Sequence, residues 1–341
     1  MNPSTIEIIA SAIFVIAILH TFSTSIFHRL SISHPNHAGL FHLLGEVEVV
    51  FGFWALILVI AMAFLLSGHE AVEYINKQNY TEPLFVFVVM VVAASKPILS
   101  IAETCIKQLA KLLNWGLRIP TNTAIYFISL SLVPLLGSFI TEPAAMTLAA
   151  LLLRDNFYKV GISPKLQYAT LSVLFVNISI GGTLTNFAAP PVLMVASAWE
   201  WTTPFMFETF GARAAIAVFV NALLVTLLFH KQLPKIVTRE SSESMPTSVI
   251  LIHLLFLAGV VIFAHYPPVF MWLFLFFLGY TQAYAKHQNP LILRESLLVA
   301  FFLAGLVVLG GLQKWWLQPI LESISPAAAF YGTAALTALT D

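Results

Sequence analysis

The sequence contains few charged residues and a single cysteine. Only 9% of its 341 residues are charged, whereas soluble domains typically carry about 25% charged residues. The lone Cys105 excludes an internal disulfide and a metal site built from cysteines. The sixteen basic and sixteen acidic residues cancel, so the net charge does not indicate nucleic acid or another polyanion as a partner.

The N-terminus lacks the features of a cleaved signal peptide. It has no basic segment and no small-residue cleavage site, and its apolar run continues to about residue 27. The sequence also contains no nucleophile elbow, no HExxH and no Walker motif. A membrane-embedded hydrolase or a scaffold is therefore the least favoured interpretation, and we predict a protein that is not an enzyme.

Long apolar runs are what the sequence has in abundance. Hydrophobic residues make up 59% of the chain, and a run of about 17 residues suffices to cross a hydrocarbon core about 30 Å thick. The sequence therefore predicts an all-α protein that crosses a lipid bilayer several times. The predicted spans lie at about residues 6–27, 45–66, 84–105, 211–229, 247–264, 269–285 and 292–311.

Basic residues predict the orientation of these spans, because cytoplasmic loops carry an excess of Lys and Arg. Twelve of the sixteen are assigned to the cytoplasm: Arg29, Lys107, Lys111, Arg118, Arg154, Lys159, Lys165, Lys231, Lys235, Arg239, Lys286 and Arg294. We therefore expect a multi-pass protein of the bacterial inner membrane with an external N-terminus. Residues 67–83 and 199–210 are predicted to be external loops.

Two apolar stretches do not fit a single straight span. Both ends of the stretch 122–153 are assigned to the cytoplasm, and two crossings would leave arms of about 15 residues, which is too short. We therefore predict a re-entrant hairpin that turns near residues 137–143. The stretch 166–198 must cross the membrane, but glycines and a double proline interrupt any continuous helix. It is predicted to be a broken transmembrane helix.

The order of these elements predicts an inverted-topology repeat. Residues 1–230 form a first repeat with three spans, the re-entrant hairpin, the broken helix and one further span. Residues 231–246 are predicted to be a cytoplasmic linker. Residues 247–341 begin again with three spans in the opposite orientation, which is the common plan of secondary transporters.

A short sequence match supports the repeat. The segment SFITE at residues 138–142 parallels TALTD at residues 337–341. Thr340 and Asp341 are therefore the predicted equivalents of the residues at the tip of the first hairpin. By this count the chain is expected to stop within its second hairpin.

Glu142 is the leading candidate for ion binding. It lies at the predicted hairpin tip inside the membrane, where ionisable groups are costly and by default functional. A carboxylate at this depth holds either a proton or a sodium ion, and that competition is the simplest mechanism for ion exchange. Ser138 and Thr141 add the neutral oxygens that a hard cation needs. The alternative is a structural acid that begins the returning helix.

The predicted break is the second candidate element. Its glycines would let the backbone approach an ion closely, and half-helix ends would direct partial charges at it. The candidate residues are Gly181, Gly182, Thr183, Thr185 and Asn186. The alternative is a packing kink built from small residues.

Charged and histidine residues outside these elements have two interpretations each. Lys96 and Glu103 lie seven residues apart in the third predicted span, on roughly one helix face, and form either a gating pair or a structural pair. The histidines between His28 and His42 lie in a predicted solvated loop, although such a cluster could also sense pH or bind a metal.

The segment IGGTLTNFAAPP at residues 180–191 resembles the broken-helix motif of the ion-transporter superfamily. That group includes sodium/proton antiporters, arsenite carriers and dicarboxylate/citrate carriers, and in it the motif follows a re-entrant hairpin. The chain is most similar to a family of sodium/proton antiporters, although its Thr-Glu tip differs from the Asn-Asp and Ser-Asn-Thr tips of the group. The resemblance implies an elevator-like movement of hairpin and broken helix, often in a homodimer.

Two functions remain open within this superfamily. The first is a sodium/proton antiporter, in which a monovalent cation and a proton are the transported partners and no cofactor or resident metal is needed. The second is a carrier of a small organic or inorganic anion, whose site would use half-helix N-termini, with or without a base, and no acid at its centre. Glu142 and Asp341 favour the antiporter, whereas Lys96 keeps the anion carrier open.

Overall fold

A computed structural model describes residues 3–189, 192, 195–196, 199–233 and 245–340. The protein is 83% helical without strands in this part of the chain. The helices are α1 Thr5–Phe22, α2 Thr24–Ser33, α3 Ala38–Leu44, α4 Val47–Leu65, α5 Gly68–Asn76, α6 Thr81–Ala93, α7 Lys96–Leu117, α8 Thr121–Leu130, α9 Leu132–Ile140, α10 Glu142–Asn156, α11 Pro164–Gly181, α12 Thr203–Leu228, α13 Thr247–Ile262, α14 Pro267–Ala283, α15 Leu293–Gly310, α16 Lys314–Ser323 and α17 Pro326–Thr340. The predicted all-α class is confirmed.

Several of these helices are long and apolar enough to cross a membrane. Helices α1, α4, α12 and α15 each satisfy this condition alone. The pairs α6–α7 and α8–α9 satisfy it only if each bent pair counts as one span, while α13 and α14 are shorter apolar helices. The described residues therefore contain four to six candidate spans, which supports a membrane protein.

The chain divides into two compact units, which do not follow the predicted repeat boundaries. The first unit comprises Met1–Pro83 and Leu297–Asp341, and the second comprises Leu84–Ser296. The inverted repeat stays a prediction. Residues 234–244, within the predicted linker, lie outside the described residues.

The first unit is held together by a close crossing of α4 and α15. A Cβ atom added to Gly305 would overlap the backbone of Gly52, and one added to Gly52 would overlap the ring of Phe301. Small residues at a crossing let two helices pack backbone to backbone. The Tyr74 hydroxyl also donates a hydrogen bond to the Val308 carbonyl at 2.6 Å.

The stretch between His28 and His42 is helical, so the predicted loop is wrong. Helix α2 ends at Ser33, a 3₁₀ turn covers Pro35–His37, and α3 follows. Pro35 at the first position of the 3₁₀ turn restarts helical backbone, because its fixed φ suits a helix start. Among the described residues, no group of three or more His, Cys, Asp or Glu side chains could hold a metal ion.

The third predicted span is not one continuous helix. Helices α6 and α7 meet at an angle of 62°. Ser95 between them has an extended backbone, and its hydroxyl donates to the Val92 carbonyl at 2.7 Å, which closes the end of α6. Pro97 lies in the first turn of α7, where its missing N–H costs nothing. The predicted span is therefore divided near its middle, where α6 ends at Ala93 and α7 begins at Lys96.

Helix α12 begins eight residues before the predicted span at 211. The Thr202 hydroxyl accepts a hydrogen bond from the Phe205 N–H at 3.4 Å, and Pro204 occupies the first turn. These are the signals of a helix start. A π-helical turn at Phe207–Gly211 joins this start to the rest of the helix, so part of the predicted external loop is helical.

Candidate ion-binding site

The predicted hairpin is present as a pair of helical arms that meet at Thr141. Helices α8 and α9, bent by 42°, form the first arm, and α10 forms the second. A Cβ added to Gly137 would lie 3.2 Å from the Cβ of Ala145. Because these residues are four positions before and after Thr141, the chain reverses direction at Thr141. No membrane is present in the structure, so the re-entrant position stays a prediction.

Thr141 has an unusual backbone conformation for a β-branched residue. Its φ and ψ angles are 73° and 151°, and it is the only residue between α9 and α10. Positive φ is rare and strained for β-branched side chains, and such strain is concentrated at functional sites. The turn places Glu142 at the first position of α10, at the positive end of that helix dipole.

The predicted broken helix is also interrupted in the structure. Helix α11 ends at Gly181, a 3₁₀ turn covers Gly182–Leu184, and Thr185 is extended. The chain then continues without regular structure to Ala189, and Pro190 and Pro191 lie outside the described residues. The helix therefore ends where the glycines predict, one residue before the 3₁₀ turn.

Ser138 connects the hairpin to this break through three hydrogen bonds. Its hydroxyl donates to the Gly181 carbonyl at 2.6 Å and accepts from the Leu184 N–H at 2.9 Å. The Thr185 hydroxyl donates to the Ser138 carbonyl at 2.6 Å. All of these groups are buried, and buried hydrogen bonds of this kind are costly to break. The hairpin and the break therefore form one hydrogen-bonded assembly.

The Glu142 side chain lies against the break. A Cβ added to Gly182 would come within 3.8 Å of both Cδ and Oε2 of Glu142, so the glycine leaves the carboxylate close to the backbone. The Glu142 N–H donates weakly to the Ala188 carbonyl at 3.4 Å. Glu142 is half-buried. The structure thus brings the predicted carboxylate and the predicted glycines together.

Thr141, the residue that precedes Glu142, carries a buried hydroxyl. The residue is 1% exposed, and its Oγ1 atom has no hydrogen-bond partner in the structure. Buried polar groups are nearly always hydrogen-bonded, so an unpartnered hydroxyl at the hairpin tip suits a ligand. The two predicted tip residues are the strongest candidates to contact an ion.

Other predicted ligands use their side chains to hold the local fold. The Thr183 hydroxyl donates to the Ile180 carbonyl at 2.7 Å. The Asn186 amide donates to the Trp201 carbonyl at 2.9 Å and accepts from the Thr203 hydroxyl at 2.7 Å. The Asn186 contacts connect the break to the start of α12, whereas the Thr183 contact stays within its own turn. The side-chain oxygens of both residues are therefore used in the local fold.

Four other predicted site residues belong to α7 or to the C-terminus. Glu103 forms an ion pair with Lys107 at 2.7 Å, and its side chain is 41% exposed. Lys96 is the first residue of α7, next to the break between α6 and α7. Thr340 ends α17, but its side chain lies outside the described part of the chain, as does the whole of Asp341.

Sequence reasoning missed a buried amide pair one turn before the break. The fully buried Asn177 amide donates to the carbonyls of Leu130 at 2.7 Å and Val218 at 3.1 Å, and it accepts from the Asn221 amide at 3.0 Å. Leu130 is the last residue before the bend between α8 and α9, so Asn177 satisfies a carbonyl that the bend exposes. A lone asparagine in an apolar helix was the available signal.

A comparison with protein families identifies the chain. The model of a family described as "Putative Na+/H+ antiporter" matches residues 5–341. The chain belongs to this family. The match includes the hairpin, the break and both compact units, and it confirms the resemblance to sodium/proton antiporters. No curated protein and no solved structure matches the chain.

Membership of this antiporter family indicates the general function of the protein. It supports a cation/proton transporter in a membrane, and a transporter rather than an enzyme. The apolar helices agree with this assignment.

Proposed function

We propose that the protein is a secondary active transporter that exchanges a monovalent cation, sodium in the first instance, for a proton at Glu142. The observation that carries this proposal is the hairpin tip. There the Glu142 carboxylate lies against Gly182, and the preceding residue, Thr141, has a buried hydroxyl without a hydrogen-bond partner. One acid with a neutral oxygen suits a cation of single charge, whereas a divalent ion such as calcium requires more oxygen ligands.

Competition at one carboxylate couples the two fluxes. The protonated acid is neutral and cannot attract a cation, while the ionised acid binds a cation and must release its proton first. The N-terminal end of α10 and the C-terminal end of α11 add partial charges of opposite sign at the tip and at the break. The carboxylate therefore carries either ligand but not both, as exchange requires.

The hydrogen bonds of Ser138 support movement of the site as one body. They join α9 to both sides of the break, so the ion ligands keep their geometry while the surrounding contacts change. The proposed transporter would alternate access by an elevator-like movement, as a homodimer in a bacterial inner membrane with an external N-terminus.

The order of helices at the C-terminus supports a second, equivalent hairpin. Helix α6 is followed by a break, the amphipathic α7, a proline and the hairpin arm α8. Helix α15 is likewise followed by a break, α16, Pro326 and α17. In this proposal Asp341 would be the acid of the second hairpin and Thr340 its neighbouring hydroxyl.

A pH-gradient assay in everted membrane vesicles tests the proposed exchange. The protein would be supplied with sodium, lithium, potassium and calcium chlorides in turn, at constant chloride. We expect sodium or another monovalent cation to collapse the gradient, and calcium to have no effect. If folded, inserted protein responded to none of the cations, the cation exchange would be wrong and labelled dicarboxylates and oxyanions would be tested.

Replacing Thr141 by valine is expected to raise the KM for the cation about tenfold or more, since a hydrogen bond or ion contact of this type contributes about 1.5–3 kcal/mol. Valine keeps the shape and the β-branch, so the strained backbone at φ 73° is unchanged. The KM would be read from the gradient assay across cation concentrations.

Thr183→Val is the matched control for this substitution. It also removes one threonine hydroxyl from the same assembly, but that hydroxyl contacts only the carbonyl of Ile180 within its own turn. An equal rise of KM in both variants would exclude a direct role for the Thr141 hydroxyl.

A further inference from the structure

A second buried titratable group lies in α13, and the proposed exchange does not use it. His253 is fully buried, and its Nδ1 atom lies 2.7 Å from the Val249 carbonyl. Because a carbonyl only accepts hydrogen bonds, Nδ1 carries a hydrogen and donates it. The other ring nitrogen, Nε2, then lacks a hydrogen in the neutral ring and carries one in the imidazolium.

The partner of Nε2 is a side-chain amide that can serve both forms. The Nε2 atom of Gln288 lies 2.5 Å from Nε2 of His253. In this arrangement the amide N–H donates to the bare ring nitrogen, so the imidazole is neutral. The Oε1 atom of Gln288 is then buried without a hydrogen-bond partner.

Rotation of the Gln288 amide by half a turn would exchange these roles. Oε1 would take the place of the amide nitrogen and would accept a hydrogen bond from a protonated Nε2. The imidazolium would then donate from both nitrogens, to Val249 and to Gln288, in two charge-assisted hydrogen bonds. The rotation would also satisfy the oxygen that is unpartnered in the neutral form.

His20 is the other fully or nearly fully buried histidine in the described residues. Its hydrogen-bond partners cannot serve both the neutral and the protonated ring. Its Nδ1 atom accepts from the indole N–H of Trp54 at 3.0 Å, and its Nε2 atom lies 2.9 Å from the Leu44 carbonyl. An indole N–H cannot accept a hydrogen bond. Protonation of His20 would therefore break the bond to Trp54, whereas His253 has an adaptable partner.

The surroundings of His253 are aromatic. The ring centroids of Phe277 and Tyr280 lie 5.4 and 5.5 Å from that of the imidazole, which is within the range of cation–π attraction. The titratable side chains on the elements packed against α13 are Lys96, Glu103, Cys105, Lys107 and Lys111 on α7 and Tyr280 on α14, with Tyr284, Lys286 and His287 in the segment that follows. Glu103 and Lys107 neutralise each other.

We propose that His253 and Gln288 form a proton-binding site, separate from the hairpin tip, in which rotation of the Gln288 amide accompanies protonation of Nε2. The site joins the middle of α13 to the segment after α14. On proton binding, Nε2 of His253 would change from acceptor to donor in its hydrogen bond with Gln288. The proposal does not depend on the role of Glu142.

Nitrogen-15 NMR of histidine-labelled protein in lipid bilayers tests this site between about pH 5 and 8, where histidine ordinarily titrates. His253 is assigned by its absence from the spectrum of the His253→Gln variant. We expect a neutral ring with the hydrogen on Nδ1 at high pH and an imidazolium at low pH. A wild-type His253 that remains neutral throughout would overturn the proposal.

Substitutions of Gln288 test the role of the amide. Gln288→Leu offers no acceptor, so His253 should remain neutral across the range. Gln288→Glu offers a permanent acceptor, so the midpoint should move up by a pH unit or more. His20 should keep its hydrogen on Nε2 in every variant, which reports correct folding. An unchanged His253 titration in Gln288→Leu or Gln288→Glu protein would exclude the amide as the partner.

Discussion

Replacing Glu142 by glutamine is expected to abolish cation-dependent proton exchange and reduce it to the background of vesicles without the protein. Glutamine has nearly the same shape, so the tip against Gly182 should keep its packing. An amide cannot release a proton and carries no charge to attract a cation, so both halves of the exchange are lost. The gradient assay measures the loss, and thermal unfolding checks that the variant is folded.

Two further variants make this test specific. Glu142→Asp keeps the charge on a shorter side chain and should retain part of the exchange with a raised KM. Glu73→Gln removes an exposed acid whose pKa is lowered by the hydrogen bond and charge of Lys77, and it should leave transport unchanged. Exchange at the wild-type rate in folded Glu142→Gln protein would refute the proposed mechanism.

Replacing Gly181 by alanine is expected to destabilise the protein by about 1–3 kcal/mol, the usual cost of overpacking, and to impair transport strongly. A Cβ at this position would lie 2.5 Å from the carbonyl oxygen of Pro134 and 2.6 Å from its carbonyl carbon. Both contacts are with backbone, which cannot rotate away. Helices α9 and α11 would have to separate, which would lengthen the hydrogen bond from Ser138 to Gly181.

Gly279→Ala is the matched control for this substitution. Gly279 lies within α14, and a Cβ there would meet no atom within 4 Å. Alanine should be neutral or stabilising by up to about 1 kcal/mol, because it is the better helix former. Thermal unfolding in detergent and the gradient assay would be applied to both variants. Equal unfolding temperatures and transport rates would show that α9 and α11 tolerate separation.

The hairpin tip and the break could be predicted from the sequence because their causes are local. The run of two glycines and a double proline cannot continue a helix, and α11 ends at Gly181. The Thr141-Glu142-Pro143 segment combines an acid with a proline in the first helical turn, and the returning helix begins at Glu142. Each signal acts within a few residues.

The sequence could not show which oxygens remain for an ion. Ser138, Thr183 and Asn186 looked equivalent to Thr141 as donors of oxygen. Ser138 and Asn186 form hydrogen bonds with groups up to 47 residues away along the chain, as between Ser138 and Thr185, and Thr183 bonds within its own turn. Of these four residues, Thr141 is the one whose buried side-chain oxygen has no hydrogen-bond partner in the described structure.

The third predicted span is also divided for a reason that the sequence does not show. Pro97 permits either a kinked continuous helix or a new start, and the apolar run alone favoured a single span. In the structure α6 and α7 meet at 62°. The buried face of α7 includes Ile98, Ala102, Ile106 and Ala110. Burial of this face depends on neighbouring helices, so it is absent from any local pattern.

The sequence by itself determined the all-α class of the protein, the approximate places of its apolar segments, the acid at the hairpin tip and the break in the helix that follows. These follow from hydrophobicity, charge and the backbone limits of glycine and proline, which act locally. The tertiary structure alone decided that Glu142 meets Gly182, that Thr141 keeps an unpartnered hydroxyl and that Gln288 faces His253. Such pairings depend on contacts between residues distant in sequence, because only packing brings them within hydrogen-bond range.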